Sequence, residues 1–275
     1  MKTYPDFASA IGHAMAKMKT LSTLVHTESW QGIDISQKPE MATYELLNHS
    51  LQVPIQSEDL KALAADIQPN LPWADDHFSE RICGYPLNPG RTWETWPYGK
   101  SADKFRDAQG KFNHSYAERY FPKFAGRVPA TVDPPIEWVT DEKYAHRGIY
   151  GPYGDLSDVV KQLVKEPHTR QAILPIFFPE DTGGAIGGRV PCSLHYQFIQ
   201  RGGYLHIVYQ LRSCDIVRHF RDDIYLTVRL LLCMLDSLRA IDPGWKKVKP
   251  GLFTMHIVSF HMFKADYQPT FGCAR

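Results

Sequence analysis

The 275-residue sequence lacks the motifs of several common kinds of site. Its five cysteines include no CxxC pair, and its twelve histidines form neither an HExxH motif nor a Cys/His spacing typical of zinc. We therefore predict no metal site. The glycine-rich segment EDTGGAIGG at 180–188 lacks the Lys-Ser/Thr pair that completes a phosphate loop, so we expect a mobile loop there instead.

The sequence also lacks an excess of charge and a long apolar run. The formal net charge is +1, which argues against bulk attraction to nucleic acid. The longest apolar run, Leu230–Leu235, is too short to span a bilayer, and the N-terminus has no signal-peptide stretch. An odd number of cysteines without a secretory segment indicates reduced thiols. We expect a cytoplasmic protein, in the host cytoplasm if a phage encodes it.

Hydrophobic spacing predicts one α+β domain over residues 1–275, with a mixed sheet and flanking helices. Chain length and composition allow a single large core. The segment from Pro69 to Pro135 has no clear periodicity, and an inserted segment is expected around 121–150. Helices are predicted at 5–19, 40–51, 57–67, 156–165 and 223–238, and strands at 23–35, 172–178, 193–200, 204–211 and 252–263. Arg201-Gly202-Gly203 predicts a tight hairpin between two of these strands.

One thiol stands in a reactive-looking context. Cys192 begins a predicted strand in RVPCSLHYQF, directly after the glycine-rich loop, and Arg212 follows in LRSCD on the next strand. A single cysteine near a strand end is usually a small core residue. An arginine nearby favours the reactive thiolate form, and arginine also binds phosphate with two parallel hydrogen bonds. Cys214 is the rival thiol, but no loop and proline precede it.

These segments resemble the core of the thymidylate synthase family. In that family a Pro-Cys pair opens a strand, a glutamine follows five residues later, and an RS-x-D segment lies on the next strand. Gln197 and Asp215 occupy the matching positions. The resemblance implies a homodimer built on one sheet face, and it implies 5,10-methylenetetrahydrofolate as the cosubstrate. It assigns Cys192 as nucleophile, Arg212 and Ser213 to the phosphate, Gln197 to the nucleotide, and Asp215 to the folate.

Further segments of the sequence also resemble the thymidylate synthase family. HTRQAIL resembles the segment whose arginine reaches the partner's phosphate, with Gln171 in place of a second arginine. TYELLNHSL resembles the helix with the catalytic glutamate, TWETW a folate-side tryptophan pair, and SFHMF the sugar-binding strand, in which Phe263 replaces a tyrosine. The residues matched in these segments are Arg170, Glu45, Trp93, Trp96, Tyr116 in GKFNHSYAERY, and His261. The family's N-terminal phosphate-binding arginine has no clear counterpart, which leaves Lys17, Lys19 and Arg91 as alternatives.

The residue eight positions after Asp215 bears on the base. Thymidylate synthases have asparagine there, whereas this sequence has Asp223, as in the similar phage deoxycytidylate hydroxymethylases. A carboxylate accepts hydrogen bonds, which suits the cytosine N4 amino group. The alternative interpretation is that Asp222 or Asp223 caps the following helix.

The expected reaction is folate-dependent hydroxymethylation of deoxycytidylate (dCMP) at C5. Cys192 adds to C6, C5 takes the one-carbon unit, Glu45 organises proton transfers, and water captures the methylene. Because the sequence ends at Arg275, soon after Phe263, we expect a lid that excludes water poorly, unless Arg127–His146 forms one. The alternatives are hydroxymethylation of deoxyuridylate (dUMP), a methyl product from either nucleotide, action on ribonucleotides, and a non-catalytic nucleotide-binding homologue.

Overall fold

The computed structural model of the protein describes residues 2–99, 103–122, 154–184 and 189–272. The helices of these regions are α1 (Phe7–Leu21), α2 (Leu60–Ile67), α3 (Trp73–Ile82), α4 (Thr92–Thr95), α5 (Tyr116–Tyr120), α6 (Leu156–Lys165), α7 (Phe220–Ile241) and α8 (Lys264–Phe271). The strands are β1 (Lys2–Thr3), β2 (Thr23–Val25), β3 (Ser29–Trp30), β4 (Ile33–Asp34), β5 (Thr43–Pro54), β6 (Ile173–Pro175), β7 (Ser193–Arg201), β8 (Tyr204–Asp215) and β9 (Lys249–Phe263). No helix within the described ranges has the length and apolar character needed to cross a bilayer.

A mixed sheet forms the centre of the molecule, in the order β1-β5-β9-β8-β7-β6, with β2 also paired to β5. Strands β8 and β9 run parallel, whereas β5 and β9 run antiparallel. Parallel neighbours require a crossover, which α7 provides between them. This arrangement confirms the predicted α+β class with a mixed sheet and flanking helices.

The long helix α7 supplies much of the core. Ile224, Leu231, Leu235 and Leu238 are fully buried, and their spacing is that of an apolar helix face. The helix contacts both β8 and β9. Burial of each such side chain contributes about 1.5–3 kcal/mol, so this contact anchors the sheet on which the site is built.

The predicted helix at 40–51 is wrong, because that segment is strand β5. Its backbone pairs with β9 from Thr43 opposite Phe263 to Pro54 opposite Leu252. The helix prediction rested on the spacing of only a few apolar residues, and pairing with β9 outweighs that weak local pattern. Asn48 interrupts the strand with a left-handed backbone, φ +54°. The segment at 23–35, predicted as one strand, is divided into β2, β3 and β4.

The other predicted elements differ mainly at their ends. The predicted helices at 5–19 and 156–165 match α1 and α6, and the hairpin turns at Gly202 and Gly203, both with positive φ. Helix α2 begins at Leu60, three residues later than predicted, and Asp59 caps it by accepting from Lys61 N. Helix α7 and strand β9 each begin three residues earlier than predicted, and β6 covers only the centre of 172–178.

The segment predicted to be irregular contains short helices. Its described part holds α3, α4 and α5, and a 3-10 turn at Pro179–Gly184 opens the predicted loop at 180–188. Residues 185–188 of that loop lie outside the described residues, as do 123–150 of the expected insertion and the whole of Arg127–His146.

Candidate active site

The half-buried thiol of Cys192 lies where the entrance of β7 meets the end of β8. Its Sγ is 3.4 Å from Ser213 Oγ and 3.8 Å from Arg212 Nη2. The backbones of the two residues are also bonded, because Arg212 N donates to the Cys192 carbonyl over 2.9 Å. The structure therefore brings together the three residues that the resemblance assigned to nucleophile and phosphate.

The Arg212 guanidinium is held in place by backbone carbonyls. Its Nε donates to the Pro191 carbonyl over 2.9 Å, and its Nη2 donates to the Val190 carbonyl over 3.0 Å. These bonds orient a fixed positive charge beside the thiol.

A second cation near the thiol, Arg189, was missed by the sequence analysis. Its guanidinium carbon lies 5.6 Å from the Trp93 ring centroid and 5.3 Å from that of Phe105. Burial lowers the pKa of Arg189, whereas the negative charge of Cys192 raises it. Its position three residues before the cysteine, in RVPC, was the signal available in the sequence.

Tyr116 is fixed at the start of α5 by a capping box, in which Ser115 and Glu118 bond to each other's backbone N–H groups. Its hydroxyl lies 2.9 Å from Ser193 Oγ, which in turn lies 2.5 Å from the Tyr209 hydroxyl. Burial raises the pKa of Tyr116, and the charge of Cys192 raises it further. The result is a chain of three hydroxyls that starts beside the nucleophile.

Asp223 lies in the first turns of α7 and accepts a 3.6 Å contact from Cys214 Sγ. Burial raises its pKa to about 7, the positive charge of Arg81 opposes that rise, and Asp222 adds to it. Asp222 accepts from Asn70 N over 2.7 Å, so its carboxylate joins two segments and does not cap its own helix. The capping interpretation therefore has no support for Asp222, and Asp223 contacts a thiol of β8 instead of the helix end.

The predicted folate-side residues lie together on one flank of the site. The Trp93 and Trp96 rings are 5.1 Å apart, and Trp96 stacks on His219 at the same distance. Both indole N–H groups are buried without a hydrogen-bond partner among the described residues. Asp215 accepts from Val217 N and Arg218 N through one oxygen, while its other oxygen accepts no hydrogen bond within those residues and lies 3.7 Å from Arg218 Nε as an ion pair. Burial raises the pKa of Asp215, and His261 opposes that rise.

The predicted catalytic glutamate lies on a strand and not on a helix. Glu45 of β5 is in register with His261 of β9, which is in register with Asp215 of β8. The Ser259 hydroxyl donates to the Glu45 carboxylate. Glu45 therefore lies beside His261, the residue predicted to hold the sugar, and two strands away from β8.

Phe263, which replaces the family's tyrosine, is buried at the end of the same strand. The Arg218 guanidinium stacks on its ring at 4.4 Å, and Trp30 contacts it edge-on. The side chain therefore serves packing in this structure.

Two predicted nucleotide residues lie away from the thiol. Gln197 is five residues along β7 from Cys192, about 16 Å at the usual rise of a strand. Its amide donates to the Arg170 carbonyl over 3.0 Å. The Arg170 side chain is exposed. Neither residue converges on Cys192 within one chain.

The three alternative phosphate cations are dispersed. Lys17 lines a separate cavity of about 390 Å³ together with Lys2, Leu47 and His49, Lys19 stacks on Phe271, and Arg91 is exposed just before α4. Their placement does not select one of them. The described residues contain no group of three His, Cys, Asp or Glu side chains arranged for a metal ion.

Comparisons with known proteins agree with this geometry. No protein-family model matches the chain. It is 27% identical over 172 residues to a deoxyuridylate hydroxymethyltransferase of Bacillus phage SP01; the aligned region is 62% of this chain but only 38% of that relative. A thermostable thymidylate synthase A from Bacillus subtilis superposes with a TM-score of 0.63 at 12% identity, covering 95% of this chain and 81% of that one. The resemblance to the thymidylate synthase family is thus confirmed.

Proposed function

We propose that this chain, which has the thymidylate synthase fold and sequence similarity to a phage hydroxymethyltransferase, transfers a one-carbon unit to C5 of a pyrimidine deoxynucleoside monophosphate. The observation that carries the proposal is the contact of Cys192 with Ser213 and Arg212. A thiol between a fixed guanidinium and a hydroxyl is equipped to act as a nucleophile beside a bound phosphate.

The thiolate of Cys192 adds to C6 of the pyrimidine, and the electron pair of the C5=C6 bond becomes available at C5. C5 then forms its bond to the one-carbon unit and loses its proton. The bond from that carbon to the folate nitrogen breaks, which releases tetrahydrofolate and leaves an exocyclic methylene at C5. Tyr116, whose hydroxyl bonds to Ser193 next to the nucleophile, relays the proton away from C5. Release of the thiolate from C6 restores the double bond.

The cosubstrate in this proposal is 5,10-methylenetetrahydrofolate, which supplies the carbon at the oxidation level of formaldehyde. The site has features that fit a heteroaromatic ring with polar edges. Two tryptophans offer flat surfaces and buried N–H donors, and Asp215 offers an oxygen that accepts no hydrogen bond within the described residues. Trp93, Trp96 and Asp215 would hold it.

For the base, our first proposal is cytosine, because an ionised Asp223 accepts from the N4 amino group. A second candidate is uracil. The name of the phage relative refers to deoxyuridylate, and a carboxyl with a pKa of about 7 also has a neutral form that can donate to O4.

For the product, we propose a hydroxymethyl group, formed when water adds to the exocyclic methylene. The name of the relative, a hydroxymethyltransferase, supports this choice. A methyl product would instead require hydride from the folate. A nucleotide-binding homologue without catalysis is the least supported alternative, because the thiol is in contact with its predicted partners.

The nucleotide's sugar and phosphate would be held by further residues. We assign Arg212 and Ser213 to the phosphate, and His261 with Glu45 to the sugar side, where Glu45 would also order water. Arg170 and Gln197 would act on the site of a second copy, since both lie on the sheet surface away from Cys192. The homodimer is part of this proposal.

The deciding experiment incubates the protein with methylenetetrahydrofolate and either dCMP or dUMP, and identifies the product by mass spectrometry. We expect dCMP to gain CH2O. A gain of CH2, or activity on dUMP alone, would contradict the first choice of product or base. Cys192→Ala is expected to abolish turnover while it still binds nucleotide, with Cys233→Ala as a matched control thiol on α7.

A further inference from the structure

Arg81, near the end of α3, is a charged side chain in an unusual position. It is only 4% exposed, and its helix packs against α5 and α7. Its Nε and Nη1 are buried and have no hydrogen-bond partner among the described residues. Burying a guanidinium without full pairing costs stability. Because this burial does not favour folding, we expect Arg81 to have a role in the function of the site.

The geometry around Arg81 connects it to the proposed site. Its guanidinium carbon lies 4.0 Å from the ring centroid of Tyr116, whose hydroxyl bonds to Ser193 next to Cys192. A flat guanidinium on a phenol ring restricts the tilt of that ring. Arg81 thereby orients the Tyr116 hydroxyl without itself touching the thiol.

The charge of Arg81 also acts on Asp223. The groups that interact electrostatically with the Asp223 carboxyl come from four elements: Arg81 of α3, Tyr116 and Tyr120 of α5, Tyr209 and Cys214 of β8, and Asp222 of α7 itself. In this set the one cation is Arg81. It opposes both the burial and the Asp222 charge that together raise the pKa of Asp223 to about 7.

We propose that Arg81 is a positioning residue of this site, a buried cation that orients the Tyr116 hydroxyl beside the nucleophile and supplies the positive charge that acts on the base-reading carboxyl of Asp223. This inference rests on the proposed function and deepens it, because it names the group that sets base preference. With Asp223 ionised, the site accepts from the cytosine N4 amino group. With Asp223 neutral, the site can donate to uracil O4.

The test compares Arg81→Met, which removes the charge and keeps much of the volume, with Arg81→Lys, which keeps the charge. The matched control is Arg229→Met. Arg229 also stacks on an aromatic ring of α3, that of Phe78 at 4.4 Å, but pairs with Asp75 on the half-buried side of the helix. Each variant is assayed for kcat/KM against pH with dCMP and dUMP, and for thermal stability.

For Arg81→Met we expect the acid limb of the dCMP profile to move to higher pH by about one unit, a tenfold change in proton affinity. The dCMP-to-dUMP preference should fall by a similar factor, while the melting temperature stays equal or rises. Arg81→Lys should keep the limb near its wild-type position but lower kcat, because a lysine cannot hold the ring flat. An unchanged pH profile and base preference in Arg81→Met would overturn the inference.

A second measurement does not depend on turnover. The carboxylic acid band of Asp223, identified by its loss in Asp223→Asn, can be titrated by infrared difference spectroscopy. We expect its midpoint to be higher in Arg81→Met than in the wild type or Arg229→Met. If the wild type fails to modify any nucleotide, the proposed function falls, and this titration still decides whether Arg81 sets the ionisation of Asp223. Equal midpoints would refute the role of Arg81.

Discussion

At the scale of single residues, the site places polar groups where burial changes their chemistry. Asp223, Tyr116 and Tyr209 all have pKa values raised by burial, and Cys214 beside Asp223 is affected in the same way. Neutral side chains of this kind can donate hydrogen bonds to a nucleobase and relay protons, whereas they bind ions poorly. The fixed charges at the thiol come from arginines.

The raised pKa of Asp223 predicts a pH-dependent stability difference. The group has a pKa of about 7 in the folded protein, against 3.8 for an ordinary aspartate. Between these values the unfolded chain releases the proton and the folded chain keeps it, so ionisation favours unfolding as pH rises. Above pH 7 both states are ionised, and the penalty stays constant at about 4 kcal/mol.

Asp223→Asn removes this penalty. We expect its unfolding free energy, measured by urea denaturation, to gain on the wild type as pH rises from 4 to 8. Asp236→Asn, at an exposed position of the same helix, serves as the control and should show no such trend. A constant difference between Asp223→Asn and the wild type across this range would contradict the buried position of the carboxyl.

At the scale of elements, a buried ion pair joins α5 to the turn that precedes the nucleophile. Arg119 Nη1 and Nη2 each donate over 3.0 Å to the two oxygens of Asp181, and both side chains are fully buried. The Arg119 guanidinium also lies 4.5 Å from the ring centroid of Phe178. This contact fixes Pro179–Gly184 relative to Tyr116, and so relates the two sides of the site.

Breaking this pair on one side should be costly. Asp181→Ala removes the carboxylate that accepts two hydrogen bonds from the buried Arg119 guanidinium, and we expect a loss of about 3–5 kcal/mol in denaturant unfolding. The double variant Arg119→Met/Asp181→Leu should recover most of that loss, because no buried charge remains. Lys161→Met, which removes the cation of an exposed pair with Asp158 3.3 Å apart on α6, is the control and should change stability by less than about 1 kcal/mol. A small effect of Asp181→Ala would show that the pair is hydrated and mobile.

At the scale of the whole molecule, the central sheet exposes apolar side chains on several strands. Leu47 is 69% exposed, Val258 49% and Ile173 41%. Exposed apolar groups are a common mark of a protein interface, and Leu47 and Val258 lie on the neighbouring strands β5 and β9. With the exposed Arg170 nearby on the segment before β6, they support the proposed homodimer.

Charged residues introduced on this surface should dissociate the proposed dimer into monomers. Leu47→Asp/Val258→Lys is expected to shift the mass measured by light scattering from dimer to monomer and to remove most activity, since Arg170 would no longer reach a second site. Ile241→Asp, at an exposed apolar position at the end of α7, is the control. Mixing inactive Cys192→Ala with inactive Arg170→Ala should restore activity through mixed dimers. A monomeric wild type, or no restoration, would contradict the shared site.

The sequence by itself determined the local chemistry that depends on short spacing. The β7–β8 hairpin follows from adjacent glycines, and its register, shifted by one residue between Ser193 and His195, brings Cys192 to Arg212 and Ser213. Asp223 was selected through the family resemblance, by its place eight residues after Asp215. In each case the residues lie on directly connected elements, so sequence spacing determines spatial proximity.

Only the tertiary structure decided the remainder. Strand β5 was predicted as a helix because its pairing partner β9 lies some 200 residues away, and pairing at that distance leaves no local pattern. The same long-range register put Glu45 opposite His261. Arg81 was missed because a buried cation appears in the sequence only as one charged residue on an apolar helix face. Its neighbours, Tyr116 and Asp223, are brought to it by packing of three helices, which no spacing within α3 could indicate.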